Sequence, residues 1–563
     1  MKPWWETHDG RLAREEEALR ADGIEVERDA ESFDRGVLRL KLRLPEGTWM
    51  TTELVAVYPD TFPYTRPEIF APTLNLAHHQ NPHMKNLCLL PRSSEYWPPT
   101  WTTARLLSEQ LPRLSQALRA TDKAELKALE IEQGEPLTYY FSYEEDSAIL
   151  IDSSATMPEE PLGFFAAVPL QDGVNPLRAR VGMIAGKDGR AIWASRMSDE
   201  EKENAFPAMW VRAAQRPAHF DDAAALLAAL EGEHPELARA PWKNGVQLFA
   251  ILFGDELAHR SQGVGWLFAV RRRGLGKGGK RRTQAAFIRA DRAGVDDLAA
   301  RLPEFRDLQH TGVAIFGLGC IGAPSALDFA RSGVGTLNVL DSDVVDAGTT
   351  VRWSYGISAA GRHKAKVLYE TITRDYPSVR SVRALLTRLG FPDQKPHSEG
   401  AAMEMMLTGV DLVYDATGEP GLQYLLSTAA RDRQLPYICI SGTHGAWGGL
   451  VARFNHREGS GCWWCFQAAL NNTIPSPQAD PAGGIQPAGC SSVTYTGANF
   501  DMMEVALQGV RLATVTLLAR RGVGDDYDWD VAVVNLRDAE GRRIEPRWTV
   551  YTLERNPACP VCH

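Results

Sequence analysis

The chain has 563 residues, 44% hydrophobic and 23% charged, so core burial is not limiting and several domains of ordinary size are expected. Its 61 basic and 71 acidic side chains leave a formal charge of −10, which argues against general nucleic-acid binding. The start, Met-Lys-Pro-Trp-Trp-Glu, has no apolar signal region and no run of about 18 apolar residues follows, so a cytoplasmic protein without a membrane span is expected.

In the first segment, 1–150, residues 12–21 are charged and helix-favouring. Residues 36–44 alternate as a half-buried strand does, with Leu38, Leu40, Leu42 and Leu44 on one face and Arg39, Lys41 and Arg43 on the other. A second strand is expected at 53–58. Tyr58-Pro59, Phe62-Pro63 and Arg66-Pro67 then fix extended turns. Next come His79-Gln80-Asn81-Pro82-His83, Asn86-Leu87-Cys88-Leu89-Leu90 and Tyr96-Trp97-Pro98-Pro99. Residues 102–118 predict a helix with Leu107, Leu111, Leu114 and Leu118 on one side and a kink at Pro112. Cys88 admits two readings. A cysteine between leucines packs as a small hydrophobe. An accessible thiol instead holds an acyl group as a thioester and passes it to an amine, with a nearby amide or imidazole stabilising the oxyanion.

This order of elements resembles a ubiquitin-conjugating enzyme, in which a proline-rich segment follows a strand meander. A His-Pro-Asn element, a cysteine between aliphatic residues and a Trp-Pro before a helix come next. The resemblance implies an α+β domain with Cys88 as the acyl carrier. Asn81 would support the oxyanion, with His83 a competitor, and Gln80 stands where the family has proline.

In the middle segment, 151–300, strands are expected at 163–168, 178–185, 246–253 and 264–270, a hairpin turn at 186–189 and a helix at 220–230. His219, His234 and His259 are isolated and read as structural or solvated. Arg271-Arg272-Arg273, a Gly/Lys run and Arg281-Arg282 read as a mobile basic loop, with docking of an acidic partner as the other reading. A phosphate loop is excluded because no Gly-Lys-Ser/Thr follows. The segment reads as an α+β connector.

The last segment, 301–563, opens with a buried strand at 313–316 that runs into Gly317, Gly319 and Gly322, a G-x-G-x-x-G turn. A helix at 323–332 and a strand at 336–340 follow, and the strand ends on Asp341, 341 − 322 = 19 residues past the last glycine. Such a turn offers helix-start N–H groups to phosphate, and Asp341 can accept hydrogen bonds from a ribose. NAD is the usual ligand. Here Asp343, Thr349, Arg352 and Gly361-Arg362-His363-Lys364-Ala365 follow, and a strand at 410–414 ends in Asp415-Ala416-Thr417-Gly418. Cations in this order suit ATP, because adenylation must neutralise a triphosphate and a leaving pyrophosphate.

Eight cysteines are few for this length. Cys462-x-x-Cys465 and Cys559-x-x-Cys562 predict a four-thiolate zinc site, structural because no ligand position stays open; two unrelated pairs or a redox pair are the alternatives. Cys490 follows a Pro/Gly-rich stretch, 474–489, expected to be a mobile loop, and a thiol there can attack an acyl adenylate. Cys320 and Cys439 are expected in the core. A helix is expected at 500–519.

From the glycine turn to the last knuckle the segment is similar to the ThiF/MoeB-type, Rossmann-like α/β adenylation domain of ubiquitin-activating enzymes and their bacterial relatives. Those relatives activate the sulfur carriers of molybdopterin and thiamine synthesis. The resemblance rests on Asp341-x-Asp343, Arg352, Gly361-x-x-Lys364-Ala365, Asp415 and the knuckles. It implies Asp341 at the ribose, Arg352 and Lys364 at the phosphates, Asp415 on Mg²⁺, and Cys490 as a thioester or persulfide cysteine. It also implies a homodimer in which an arginine, Arg301 or Arg306, completes the partner's site. Thr349 stands where the family has asparagine. Together the two ends resemble the conjugating–activating fusions of bacterial CBASS anti-phage operons. That implies ATP-driven transfer of a protein C-terminus, from a CD-NTase or a ubiquitin-like protein, through Cys490 and Cys88 to target lysines. A sulfur-carrier activator and a nucleotide-sensing scaffold are the rival readings.

Overall fold

The computed structural model describes residues 2–45, 53–76, 78–90, 96–120, 135–171, 173–258, 261–275, 281–391, 398–456, 459–485 and 494–562. His259 and Cys490 lie outside them. The chain packs as two units, Met1–Ile151 with Ala155–Arg292, and Asp152–Ser154 with Ala293–His563.

Among the described residues, the first unit holds two sheets. Helix α1 (Arg11–Ala21) precedes β1 (Glu25–Arg28), β2 (Arg39–Arg43), β3 (Glu53–Val57) and β4 (Glu68–Phe70), which form an antiparallel meander in that order. The alternation in β2 does what its pattern requires: Leu40 and Leu42 are buried while Arg39, Lys41 and Arg43 face solvent. Helix α2 (Thr103–Arg119) covers the apolar face with Leu106, Leu107, Leu111 and Leu114, and runs through Pro112 as one element. Glu15 ties α1 to α2, accepting the Thr103 N–H at 2.8 Å while pairing with Arg11 at 2.8 Å.

The second sheet comprises β5 (Tyr143–Ile151), β6 (Leu162–Pro169), β7 (Arg178–Ala185), β8 (Ala191–Ala194), β9 (Phe206–Arg212), β10 (Val246–Ala258), β11 (Ser261–Leu275) and β12 (Arg281–Arg292). Its order is β5-β12-β11-β10-β9-β6-β7-β8, and β5 also pairs with β7, which closes the strands into a barrel. Phe165, Trp210, Leu252, Phe268 and Ile288 share one apolar cluster, and helix α3 (Ala223–Glu233) contributes Leu226, Leu227 and Leu230 to another with Phe249, Ile251 and Phe287. The basic stretch is not the loop its composition predicts. Arg271, Arg272 and Arg273 lie on β11, where Arg271 pairs with Glu231, Arg272 forks onto Glu144 (2.8 Å for one contact) and Arg273 lies 3.9 Å over the Trp242 ring. Residues 276–280 lie outside the described residues.

The second unit is an α/β sheet. Its elements are β13 (Gly312–Phe316), α4 (Gly322–Ser332), β14 (Thr336–Leu340), α5 (Lys364–Asp375), β15 (Ser381–Leu385), α6 (Ser398–Leu407), β16 (Leu412–Asp415), α7 (Pro420–Asp432), β17 (Tyr437–Gly442) and β18 (Gly448–Phe454). Then come α8 (Trp463–Ala469), the short pair β19 (Gly484–Ile485) and β20 (Thr494–Tyr495), α9 (Asn499–Arg520), β21 (Val531–Arg537) and β22 (Arg543–Tyr551). The large sheet runs β15-β14-β13-β16-β17-β18-β21-β22, parallel from β15 to β17 and antiparallel beyond. Its central strands read as continuous apolar runs because both faces are covered, and every residue of β13 is buried. Cys439 is buried on β17, as expected of a packing residue. Helix α9 has the length and hydropathy of a membrane span, against the expectation of no such segment. Much of it is apolar because it is core: Val505, Leu512, Ala513 and Leu517 are buried in the cluster that holds Val313, Ile315 and Ile440. The strand order turns back at β13, so a crevice opens past its C-terminal end between β14 and β16.

Candidate active site

The crevice is built by the glycine turn. Gly317 follows β13 with φ +82°, and a Cβ there would sit 2.8 Å from the Ala416 carbonyl oxygen. A Cβ on Gly322 would sit 1.9 Å from the Gly317 oxygen, so the turn closes only on glycine. Gly319 differs: nothing lies within 4 Å of its would-be Cβ, and it lines the cavity. The pair gives a test. Gly322→Ala forces the turn open and is expected to destabilise the unit by roughly 2–4 kcal/mol and to abolish nucleotide binding. Gly319→Ala is expected to leave the melting temperature unchanged and weaken nucleotide binding alone, in a thermal-shift and ATP-titration comparison.

Around this turn Arg352, Lys364, Thr349, Thr417 and Ser441 line a cavity of about 260 Å³. Arg352 donates to Thr494 Oγ1 at 2.7 Å, and Lys364 Nζ lies 3.0 Å from Asp343 Oδ2. Trp353 Nε1 donates to the Leu318 carbonyl at 2.8 Å and holds the turn from beneath. The two cations, the open space at Gly319 and the N-terminus of α4 match what a triphosphate needs.

The two acids at the strand ends are both held by neighbouring donors. Asp341 accepts the Leu318 N–H at 2.7 Å and the Asp343 N–H at 2.8 Å, so it braces the glycine turn. Burial pushes its carboxyl above the ordinary range despite the Lys364 charge. Asp415 is fully buried. Its Oδ1 accepts the Thr417 N–H at 2.9 Å and hydroxyl at 2.7 Å, and its Oδ2 accepts the Tyr437 hydroxyl at 2.7 Å. Burial raises this carboxyl too. Ala416, Thr417 and Gly418 line the cavity and Asp415 does not. The expected magnesium ligand therefore lies below the cavity floor with both oxygens engaged. This does not fit a metal-binding carboxylate. Cys320, expected in the core, packs half-buried against it and also lines the cavity. Arg301 and Arg306 are engaged within their own stretch, on the Asp297 carbonyl at 2.9 Å and the Asp296 carboxylate at 2.7 Å.

The described parts of 474–485 are tied down rather than free. Gln478 N–H donates to Asn535 Oδ1 at 2.8 Å, Asp480 N–H to the His444 carbonyl at 2.9 Å, and β19 pairs with β20.

At the knuckles, the Cys462, Cys465, Cys559 and Cys562 sulfurs all lie within 4.8 Å of one another, with contacts of 3.9, 3.6 and 3.7 Å. A tetrahedron of thiolates about 2.3 Å from one ion has edges of about 3.8 Å, whereas disulfide sulfurs would sit about 2.05 Å apart. The four fit a single metal ion.

In the first unit, Cys88 sits on a small antiparallel hairpin. Gln80 bridges Leu87, Asn81 N–H donates to the Asn86 carbonyl at 2.9 Å, and Cys88 N–H donates to the His79 carbonyl at 2.7 Å. Gln80 and Leu87 are buried, so His79, Asn81, Asn86 and Cys88 share the opposite, half-exposed side. The leucines beside Cys88 are buried, and Cys88 itself is half-exposed. Gln80 anchors the hairpin with its amide, donating to the Ala71 carbonyl at 3.0 Å and accepting the Leu76 N–H at 2.8 Å. Asn81 Oδ1 accepts the His83 and Met84 N–H groups at 2.9 and 2.8 Å, so its amide nitrogen is the atom left to donate. His83 is exposed, its ring 5.8 Å from that of Phe220. Sequence reasoning missed Glu135, which binds His79 from far along the chain; no local pattern marks such a partner.

Known proteins match this chain to different extents. E. coli MccB, solved with MccA-N7isoASN, aligns over 46% of this chain and 70% of its own at 14% identity, with a TM-score of 0.35. The ATP-dependent ubiquitin transferase-like protein Cap2 of Enterobacter hormaechei is 31% identical over 155 residues, 28% of this chain and 24% of that protein. Two Sinorhizobium fredii proteins match almost end to end. The uncharacterized protein y4oA is 31% identical over 99% of this chain and 97% of its own length, and y4qC is 32% identical over 98% and 96%. Residues 294–507 match the ThiF family. The chain thus belongs to one family with y4oA and y4qC, and carries at 294–507 a ThiF-family adenylyltransferase domain.

Proposed function

We propose that the protein activates the C-terminal carboxylate of a partner protein with ATP and transfers it, through Cys490 and then Cys88, to lysine amines. The carboxylate attacks the α-phosphorus and expels pyrophosphate. Arg352 and Lys364 offset the charge gathering there, and the N–H groups of the glycine turn hold phosphate oxygens. The Cys490 thiol displaces AMP to give a thioester, Cys88 takes the acyl group by exchange, and a lysine nitrogen displaces the Cys88 thiolate to leave an isopeptide bond. Asn81 or His83 serves the oxyanion, Asp341 and Asp343 the nucleotide edge, and Cys462, Cys465, Cys559 and Cys562 hold a structural zinc ion. No step is routed through Mg²⁺, because Asp415 does not fit it. The carrier would be a CD-NTase or a ubiquitin-like protein of an anti-phage system, a reading to which the likeness to Cap2 lends support. A cytoplasmic homodimer belongs to the same proposal.

The observation that carries this reading is a half-exposed cysteine on a bridged hairpin of the first unit, in the same chain as the glycine-turn crevice of the second. A sulfur-carrier activator is the rival that the ThiF family supports, and it leaves Cys88 without a task. The test is pyrophosphate exchange into ATP, required to depend on a candidate carrier's C-terminus, followed by trapping of a reducible carrier adduct on Cys88. Exchange without a carrier requirement sinks the proposal. Full product formation by Cys88→Ala transfers the chain to the rival reading.

A further inference from the structure

The backbone beside Cys88 is held from outside its own sheet. Cys88 N–H donates to the His79 carbonyl at 2.7 Å, so the place of the Cys88 backbone follows the place of that carbonyl. His79 has φ +62°, a strained conformation for a residue with a Cβ, which persists only where the surroundings impose it. Glu135 imposes it. Its Oε2 accepts the His79 N–H at 2.7 Å, and its Oε1 lies 3.2 Å from His79 Nδ1. The two side chains are only 16% and 11% exposed. Burial pushes the Glu135 carboxyl up, but hydrogen bonding and charge from His79 outweigh it and hold the group below its ordinary range, so the acceptor is ionised.

The second sheet fixes Glu135 in turn. Two residues on, Leu137 N–H donates to Asp255 Oδ1 at 2.7 Å, and the Thr138 hydroxyl donates to Asp255 Oδ2 at 3.3 Å. Asp255 is buried near the end of β10, and a Cβ on Gly265 of β11 would sit 2.6 Å from the Asp255 Cβ, so glycine leaves room for it there. The next residue, Glu256, is also buried and lies 3.3 Å from His78 Nδ1. Gathering three largely buried carboxylates at one seam costs stability, and apolar packing would join the layers at least as firmly. Charge adds direction, because each carboxylate holds a particular donor in a particular place.

We propose that Glu135 is a positioning residue for Cys88: it holds His79 in the left-handed conformation and so sets the carbonyl that aligns the Cys88 backbone, while Asp255 and Glu256 of the second sheet keep this brace in place. The assignment rests on Cys88 as an acyl carrier. It makes the second sheet a working part of the acyl-transfer centre rather than a spacer.

The full chain can be tested without its carrier. The N-acetylglycyl thioester of mercaptoethanesulfonate serves as acyl donor and glycinamide as acceptor. In loading, the Cys88 thiolate attacks the donor carbonyl and the mercaptoethanesulfonate thiolate leaves. In discharge, the amine nitrogen attacks the thioester carbonyl carbon, the C–N bond forms, the C–S bond breaks, and the proton shed by nitrogen ends on the departing Cys88 thiolate. The Cys88 adduct is followed by peptide mass spectrometry, beside alkylation of the same cysteine by iodoacetamide, which needs a reachable thiol but no aligned thioester. Glu135→Ala is expected to slow discharge about 100-fold while changing alkylation by no more than about threefold. Adding His79→Gly to Glu135→Ala is expected to recover at least about tenfold of the loss, because glycine takes a positive φ with no carboxylate to impose it. Discharge by Glu135→Ala within about twofold of the parent overturns the assignment, as does a double variant no faster than Glu135→Ala. A rise in alkylation beyond about tenfold marks general opening of the hairpin and overturns it too. If Glu135→Ala does not fold, Glu135→Gln decides: its amide oxygen can still accept the His79 N–H, so discharge is expected within about fivefold of the parent, and a loss of about 100-fold overturns the assignment. Failure of the parent Cys88 to accept any acyl group sinks the carrier reading and this assignment with it, whereas normal loading with unchanged discharge in Glu135→Ala sinks the positioning role alone.

Discussion

Replacing Cys465 with serine is expected to strip one equivalent of zinc from the chain and to lower its melting temperature by roughly 6–20 °C. Cys465 is 2% exposed, its sulfur accepts the Asn556 N–H at 3.3 Å, and the Cys559 sulfur accepts the Val561 N–H at 3.4 Å. N–H groups aimed at sulfur favour thiolates, which metal binding requires. Without an ion, four thiols this close have no favourable pairing, and the link from α8 to the segment after β22 is lost. That link closes a loop of 559 − 465 = 94 residues, so its removal frees considerable chain entropy. A loss of about 3–5 kcal/mol, spread over a unit of this size at 2–4 °C per kcal/mol, gives the stated range. The measurement is elemental analysis beside a melting curve, with a chelator titration of the parent as the parallel arm. Purified protein that holds no metal and melts like its Cys465→Ser variant would remove the metal from the account.

What could be read from the chain follows a physical division. The glycine turn was legible because Gly317 and Gly322 answer backbone contacts, 2.8 and 1.9 Å from a would-be Cβ, that no other residue tolerates. β2 was legible because one strand with one buried face must alternate. The knuckles were legible because metal geometry dictates local spacing. Partners distant in sequence were not. Arg271 and Arg272 look like loop charges until Glu231 and Glu144 arrive from α3 and β5. Closure of the barrel depends on β5 meeting β7 and β12, a pairing that no local pattern carries. Asp415 shows the same limit at the site. Its place at a strand end was visible, but the Tyr437 hydroxyl that holds its carboxylate under the floor comes from the next strand. For Cys320 packing was legible and its place in the cavity lining was not, since membership of a tight turn does not reveal which side chains line the crevice.

Lys364→Met is expected to cut pyrophosphate exchange by about 100- to 1000-fold while leaving the fold intact. Lys364 contributes little to the fold. It is the first residue of α5, where a positive charge opposes the helix dipole, so the helix gains nothing from it. Its ion pair is with Asp343, whose carboxylate is 69% exposed, and a partner so open to water contributes little to stability. Yet the lysine is only 15% exposed and lines the cavity beside the glycine turn. A cation kept at an unfavourable helix position, in a partly dry cleft, acts on whatever anion enters that cleft. Removing it should leave the melting temperature within about 2 °C, since a change of about 0.5 kcal/mol shifts a unit of this size by about 1–2 °C. Arg352 offers the contrast. Its bond to Thr494 ties the cavity to β20, so Arg352→Met is expected to loosen that strand as well as to slow exchange. Exchange by Lys364→Met within threefold of the parent would mean that the triphosphate lies elsewhere in the crevice, with Arg352 as its principal cation.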